Sequence, residues 1–211
     1  MPDECLKARE RRLRDPNFAA HYFRGSGLDV GGGSDGLGKQ EWPHMTACRT
    51  WDMPDGDAQM LATIPAEAYD FVHSSHCLEH MVDPVEALAH WCRVCKPGGY
   101  ITVLVPDEDM YEQGVFPSTF NGDHKWTFTP HKAPSWSPRS INVLSLLQRL
   151  GPGLEVIKVE SIHGSYDWQA AERHDQTGGA AECAIEIILR KRPPHEIRDG
   201  GRFAAWHPVA P

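Results

Sequence analysis

Apolar and polar positions alternate in short blocks along the chain. Residues 27–30 read as a short buried strand that passes straight into Gly31, Gly32 and Gly33, a strand feeding a tight loop. Residues 46–51 and 69–73 read as the second and third strands, and the polar stretch between them, with Asp55, Gly56 and Asp57, leaves little room for a helix. Over 84–94, Val85, Leu88 and Cys92 recur at helical spacing. Pro97-Gly98-Gly99 then closes the segment, and residues 100–105 give a further buried strand. A long stretch punctuated by Pro106, Gly114, Pro117, Gly122, Pro130 and Pro134 predicts a lid or binding loop. Ser137 as N-cap and Pro138 at the first helical position predict a helix carrying Ile141, Leu144, Leu147 and Leu150, ended by Gly151. Strands over 154–161 and 183–189 complete the pattern.

This alternation predicts an α/β fold: a Rossmann-like, mostly parallel central sheet with an antiparallel terminal strand and helices on both faces. The expected organisation is a helical segment over 1–24, a ligand-binding domain over 25–192 and a tail over 193–211, with Phe203 and Trp206 available to dock the tail on a neighbour.

Bulk properties narrow the function. At 211 residues there is room for one domain and one active site, and 40% hydrophobic with 24% charged residues is ordinary globular usage. A net charge of −8 argues against a duplex-binding surface. The basic run Lys7, Arg9, Arg11, Arg12 and Arg14 reads as a solvated helix face, with an acidic substrate as the alternative. The first residues lack the apolar core of a signal peptide, and no apolar run approaches the roughly 20 residues that span a bilayer, so a cytoplasmic location is expected. Six scattered cysteines suit a reducing compartment. Cys92 and Cys95 form a CxxC that reads as helix packing rather than zinc or redox chemistry.

In open α/β sheets ligands bind beyond the carboxyl ends of the strands, and the chemically informative residues fall there. Asp29-Val30-Gly31-Gly32-Gly33 ends the first strand, Asp52 the second, and Ser74-Ser75-His76 the third. Glycines at 31 and 33 let the backbone approach a ligand, Asp52 can accept from ribose hydroxyls, and Asp57 from an adenine amino group.

With GLDVGGG at 27–33, DGDAQML at 55–61, YDFVHSSHCLEHMVDP at 69–84 and RVCKPGGYITVLVPDED at 93–109, the chain resembles the class I S-adenosylmethionine-dependent methyltransferases. The similarity, over about 27–150, is to the type 11-like group that includes ubiquinone-pathway and many bacterial gene-cluster enzymes. It implies S-adenosylmethionine as cofactor, its methionine part at the glycine loop, its ribose at the acid after the second strand and its adenine near Asp-Ala. Those roles fall on Asp29, Gly31, Gly32, Gly33, Asp52, Asp57 and Ala58, with Trp51 and Met53 as cover for adenine and Ser74 and Ser75 at the next strand end. Two departures stand out: Asp35 occupies the place of the usual third glycine, where it could repel the cofactor carboxylate, and the second β/α unit is shortened. A dinucleotide oxidoreductase is the alternative for this fold, disfavoured by the same glycine arrangement.

Methyl transfer requires an aligned acceptor and a destination for its proton. His124 is the first candidate base, followed by His76 and Asp107, with Glu108 as a further acid. Tyr111, Phe116, Phe120 and Trp126 offer stacking surface. No metal is expected, although His76, Glu79 and His80 share helical spacing that a divalent ion could use. The acceptor expected is a small polar molecule, such as a sugar or secondary-metabolite hydroxyl, including a glycan. Neither nucleic acid nor membrane is expected as partner, and a homodimer is left open. The alternatives are a non-catalytic binding module and an RNA or protein methyltransferase.

Overall fold

Strands that are apolar on both faces must lie inside a sheet that is covered on both sides. In the computed structural model, which describes residues 3–199 and 201, this is the arrangement of Gly25–Val30 (β1), Tyr69–Ser75 (β3) and Cys95–Pro106 (β4). Met45–Trp51 (β2) is the outer parallel strand, and Leu154–Ile162 (β7) and Ala184–Lys191 (β8) finish a six-stranded sheet in the order β2-β1-β3-β4-β8-β7. β1 to β4 run parallel. β8 is antiparallel to both β4 and β7, so the reversed strand sits one place inside the edge. Thr127–Thr129 (β5) and Ser140–Asn142 (β6) pair separately.

Alternating residues of the strands face two different cores. Leu28, Val30, Val72, Ile101, Val103 and Ile187 meet Leu88, Trp91 and Cys92 of Pro84–Val94 (α2) and Leu146 and Leu147 of Val143–Gln148 (α3). On the other face Phe71 and Ile188 meet Cys5 of Glu4–Arg12 (α1) and the aromatic group Phe18, Tyr22, Phe23 and Trp42. α2 starts as Pro at the first helical position dictates, with the Asp83 carboxylate accepting from the amides of Val85 and Glu86. Between β2 and β3 there is only a short 3-10 turn, Met53–Asp55. The segment that replaces a helix is held by α2: Trp91 Nε1 donates to the Ala58 carbonyl at 2.8 Å, and the Arg93 guanidinium donates to the carbonyls of Leu61 and Ile64.

Four local expectations change. The basic run is not a solvated face, because Arg12 is completely buried and Arg11 largely so, both paired with Glu186 of β8. Asn142, not Ser137, caps the helix after the long loop, since Ser140–Asn142 is drawn into pairing with β5 and delays the helix to Val143. Leu144 consequently points outward. Pro97-Gly98-Gly99 forms an irregularity within β4 rather than a break before it, and Cys95 is the first residue of that strand rather than part of a helix. Cys92 and Cys95 are buried free thiols whose burial pushes both up to about 12, as packing groups should be. Beyond β8 the described chain adds a short helix, Pro194–Arg198 (α4). Phe203 and Trp206 lie outside the described residues.

Candidate active site

The chain leaves β1 for β2 on one side and returns to place β3 on the other, so the carboxyl ends of β1 and β3 open a crevice where the connections diverge. The turn after β1 is tight: Gly31 has φ +76°, a conformation that favours glycine, and its N–H donates to the Trp51 carbonyl at 2.8 Å. That bond ties the glycine turn to the end of β2. An added Cβ on Gly33 would stand 3.7 Å from Asp52 Oδ2, so the glycine backbone and the acid after β2 face one another.

Two cavities meet here, and Gly31, His76 and His80 border both. The larger, about 720 Å³, is lined by Asp52, Met53, Asp57 and Ala58 and, from the long loop, by Asp123 and Lys125. The smaller, about 220 Å³, holds Asp29, Gly31, Gly32, Gly33, Asp35 and Ser75, with Asn121 from the long loop.

A family model described as a methyltransferase domain matches residues 4–151. The chain belongs to that methyltransferase domain family. For the matched domain, the fold, the class of chemistry and S-adenosylmethionine as cofactor follow from membership. A curated relative, an uncharacterized methyltransferase of Schizosaccharomyces pombe, is 37% identical over 59 residues, a stretch that spans 28% of this chain and only 20% of that relative's length. Among solved structures, a putative methyltransferase from Bacillus halodurans superposes with a TM-score of 0.54 at 13% identity, covering 92% of this chain and 100% of that one. The YcgJ protein of Bacillus subtilis gives 0.53 at 13% identity, covering 88% and 99% respectively. At these identities the structural likeness concerns the fold.

The crevice of this methyltransferase-family domain suits an amino-acid-bearing nucleoside, because a roomy lobe with the carboxylates of Asp52, Asp57 and Asp123 adjoins a smaller polar lobe at Gly31. Asp52 also organises its own loop: its Oδ1 accepts from the Met53 amide and its N–H donates to Asp55. Asp57 accepts from the Gln59 amide. Met53 is 89% exposed at the rim of the larger lobe, whereas Trp51 is in the core with its Nε1 donating to the Gly56 carbonyl. Ser74 is buried and donates to the Val30 carbonyl, away from the crevice, while Ser75 lines the smaller lobe.

Asp29 borders the smaller lobe but is internally engaged. Its Oδ2 accepts from Leu37 N–H at 2.6 Å, and Oδ1 accepts from His73 Nδ1–H at 2.6 Å. His73 Nε2 then accepts from Arg12 Nη1 at 3.1 Å, and Arg12 Nε donates to Glu186 at 2.8 Å. Burial, with Arg12 alongside, holds the His73 imidazole below its ordinary value despite Asp29, which agrees with a neutral ring bonded in this sense. Asp35 turns its carboxylate to the start of α1, accepting from the amides of Cys5 and Leu6, a use that complements the positive end of that helix.

The three candidate bases sit in different surroundings. His76 borders both lobes, has φ +52°, shares a hydrogen bond with Ser75 Oγ through Nδ1, and keeps Nε2 buried without a partner. Desolvation lowers it to about 3. His124 is buried beneath the crevice and lines neither lobe; its Nδ1 donates to Glu112 at 2.8 Å, and desolvation lowers it to about 4. Asp107 caps the turn Glu108–Glu112, accepting from the amides of Asp109 and Met110, and burial raises it to about 6. Glu108 is buried at the centre of the long loop, where Thr127, Lys132, Ser135 and Ser140 all donate to it. Of the loop aromatics, Tyr111 is buried against His124 and Phe120, and Trp126 lies under Arg139.

Glu79, His80 and His124 converge so that one ligand atom from each lies within 4.8 Å of the others. Burial raises the Glu79 carboxyl to about 8. Sequence reasoning named Glu79 and His80 but paired them with His76, and it missed Glu112. Asn121 at the crevice was also not singled out, since polar loop residues carry no periodic signal.

Proposed function

We propose that the whole protein transfers a methyl group from S-adenosylmethionine to a hydroxyl of a small polar acceptor, a sugar or a secondary metabolite. The reading rests on one observation: two lobes meet at Gly31, with Asp52 and Asp57 in one and the glycine turn in the other, and His76 stands where they join. In this reading Asp52 holds the ribose and Asp57 with Ala58 the adenine, while the backbone of Gly31, Gly32 and Gly33 admits the methionine part. The cofactor supplies a methyl group on a positively charged sulfur, already activated for displacement. The protein's task is therefore alignment and proton handling.

His76, rather than His124 or Asp107, takes the hydroxyl proton, because of the three it alone borders both lobes. With Nδ1–H donating to Ser75 Oγ, its Nε2 presents a lone pair. A ring held at so low a value does not strip a hydroxyl in the resting complex; it accepts the proton as the new O–C bond makes the hydroxyl acidic. The lining around it, with His80, Asn121, Asp35 and Glu4, favours a polar acceptor. A macromolecular acceptor loses its main motive, since Arg11 and Arg12 are committed to Glu182 and Glu186.

Calorimetry with S-adenosylhomocysteine should show binding that weakens in Asp52→Ala, and label from a methyl-labelled cofactor should enter hydroxylated sugars or metabolites. A folded chain without affinity for S-adenosylhomocysteine would instead be a binding module that keeps only the fold. Label entering RNA or protein alone would reject the small acceptor.

A further inference from the structure

Beside the crevice, which His80 borders, three side chains face one another without a hydrogen bond between them. Glu79 is fully buried, and neither of its carboxylate oxygens has a hydrogen-bond partner. His124 Nε2, also buried and unpartnered, lies 3.9 Å from Glu79 Oε1, and His80 Nε2 lies 4.0 Å from the same oxygen. These separations are too long for hydrogen bonds. Both rings are oriented from behind: His124 Nδ1–H donates to Glu112 Oε1 at 2.8 Å, and His80 Nδ1–H donates to the Asp123 carbonyl at 3.2 Å. Each neutral imidazole bonded in this way carries its lone pair on Nε2, so two lone pairs and the Glu79 carboxyl face one small space with no hydrogen bond formed among them.

We propose that Glu79, His80 and His124 bind a divalent transition-metal ion, with Glu112 fixing the ring of His124 as its outer partner. Two imidazoles and one carboxylate form a set suited to zinc, manganese, iron or cobalt rather than to calcium or magnesium, which favour all-oxygen sites. Ligands about 2.0–2.2 Å from one ion in tetrahedral geometry lie about 3.3–3.6 Å apart, so donors within 4.8 Å of one another need close by no more than roughly 1.5 Å on binding. His80 is the ring free to move, because its side chain is 27% exposed and borders both lobes. The carboxylate–histidine pairing of Glu112 with His124 is the arrangement that orients imidazoles toward metals generally. Three protein ligands leave positions open beside the crevice. There, on the function proposed above, an acceptor oxygen would be bound and made more acidic.

The test uses the full chain stripped of metal by chelator and titrated with Co²⁺, read by its visible absorption, and with Zn²⁺, read by calorimetry, both without cofactor. One equivalent should bind, with tetrahedral or five-coordinate cobalt bands. Glu79→Gln and His80→Ala should each abolish the bands, and Glu112→Gln should weaken binding by about 10–100-fold. His80→Ala guards against a folding artefact, since that ring is partly exposed; its unfolding midpoint, measured metal-free, should match the parent. A folded parent that binds neither ion, or cobalt bands unchanged in both Glu79→Gln and His80→Ala, overturns the site. An S-adenosylhomocysteine titration of the metal-free parent reports separately on the cofactor reading, so the two can fail independently.

Discussion

Asp29 and His73 are joined by a 2.6 Å hydrogen bond between neighbouring strands, and both are completely buried. The acid that ends the first strand therefore reaches the ligand crevice through a chain that also runs the other way, through Arg12 to Glu186. One side of this chain borders the glycine turn; the other clamps α1 to the sheet. The N-terminal helix and the crevice share a single polar network, and Asp35 adds a second tie by capping α1. Such a network holds its geometry only while each member is satisfied.

Replacing Glu186 with Gln should therefore destabilise the protein sharply. It would leave Arg12 buried without its anion, and a buried pair broken on one side typically loses about 3–5 kcal/mol. Burial alone would raise Glu186, but Arg12, Arg11 and Lys158 overcome it and hold the carboxyl well below its ordinary 4.5. Its contribution is complete above that value and disappears as the pH falls through the lower folded one. Urea midpoints measured from pH 7 to pH 3 should drop on the acid side for the parent, with that part of the drop missing in Glu186→Gln.

A methyl group at Gly31 tests the turn itself. The added Cβ would stand 2.6 Å from Cys77 Sγ and 2.7 Å from Cys77 Cβ, at a φ of +76°. Gly31→Ala should cost roughly 1–3 kcal/mol in denaturant unfolding from backbone strain alone. Calorimetry should show affinity for S-adenosylhomocysteine falling with it, and unchanged affinity would separate the turn from cofactor binding.

His76→Gln keeps a polar side chain at the junction of the lobes but removes the titrating ring. The rate constant for transfer should fall by about 10²–10⁴-fold, with S-adenosylhomocysteine affinity little altered. An undiminished rate would remove His76 as the base.

The strands themselves, the glycine turn and the acids behind it were legible in the sequence because each is a local pattern. Apolar runs mark buried strands, glycine marks the turn, and in this sheet geometry whatever follows a strand lies at the ligand edge. Thus 27–33, Asp52 and Asp57 could be placed near one crevice before any coordinate was known. What only the tertiary structure decided is the partner of each charge. Arg12 and Glu186 are 174 residues apart in the chain, and no periodicity links them, yet the docking of α1 on β8 buries both. The same applies to Glu112, His124 and Glu79: nothing in the string pairs them, and only the packing of the long loop against the turn after β3, where Lys125 N–H donates to the Glu79 carbonyl, brings them together away from water. Local sequence encodes which elements form; desolvation and long-range pairing are properties of the assembled sheet.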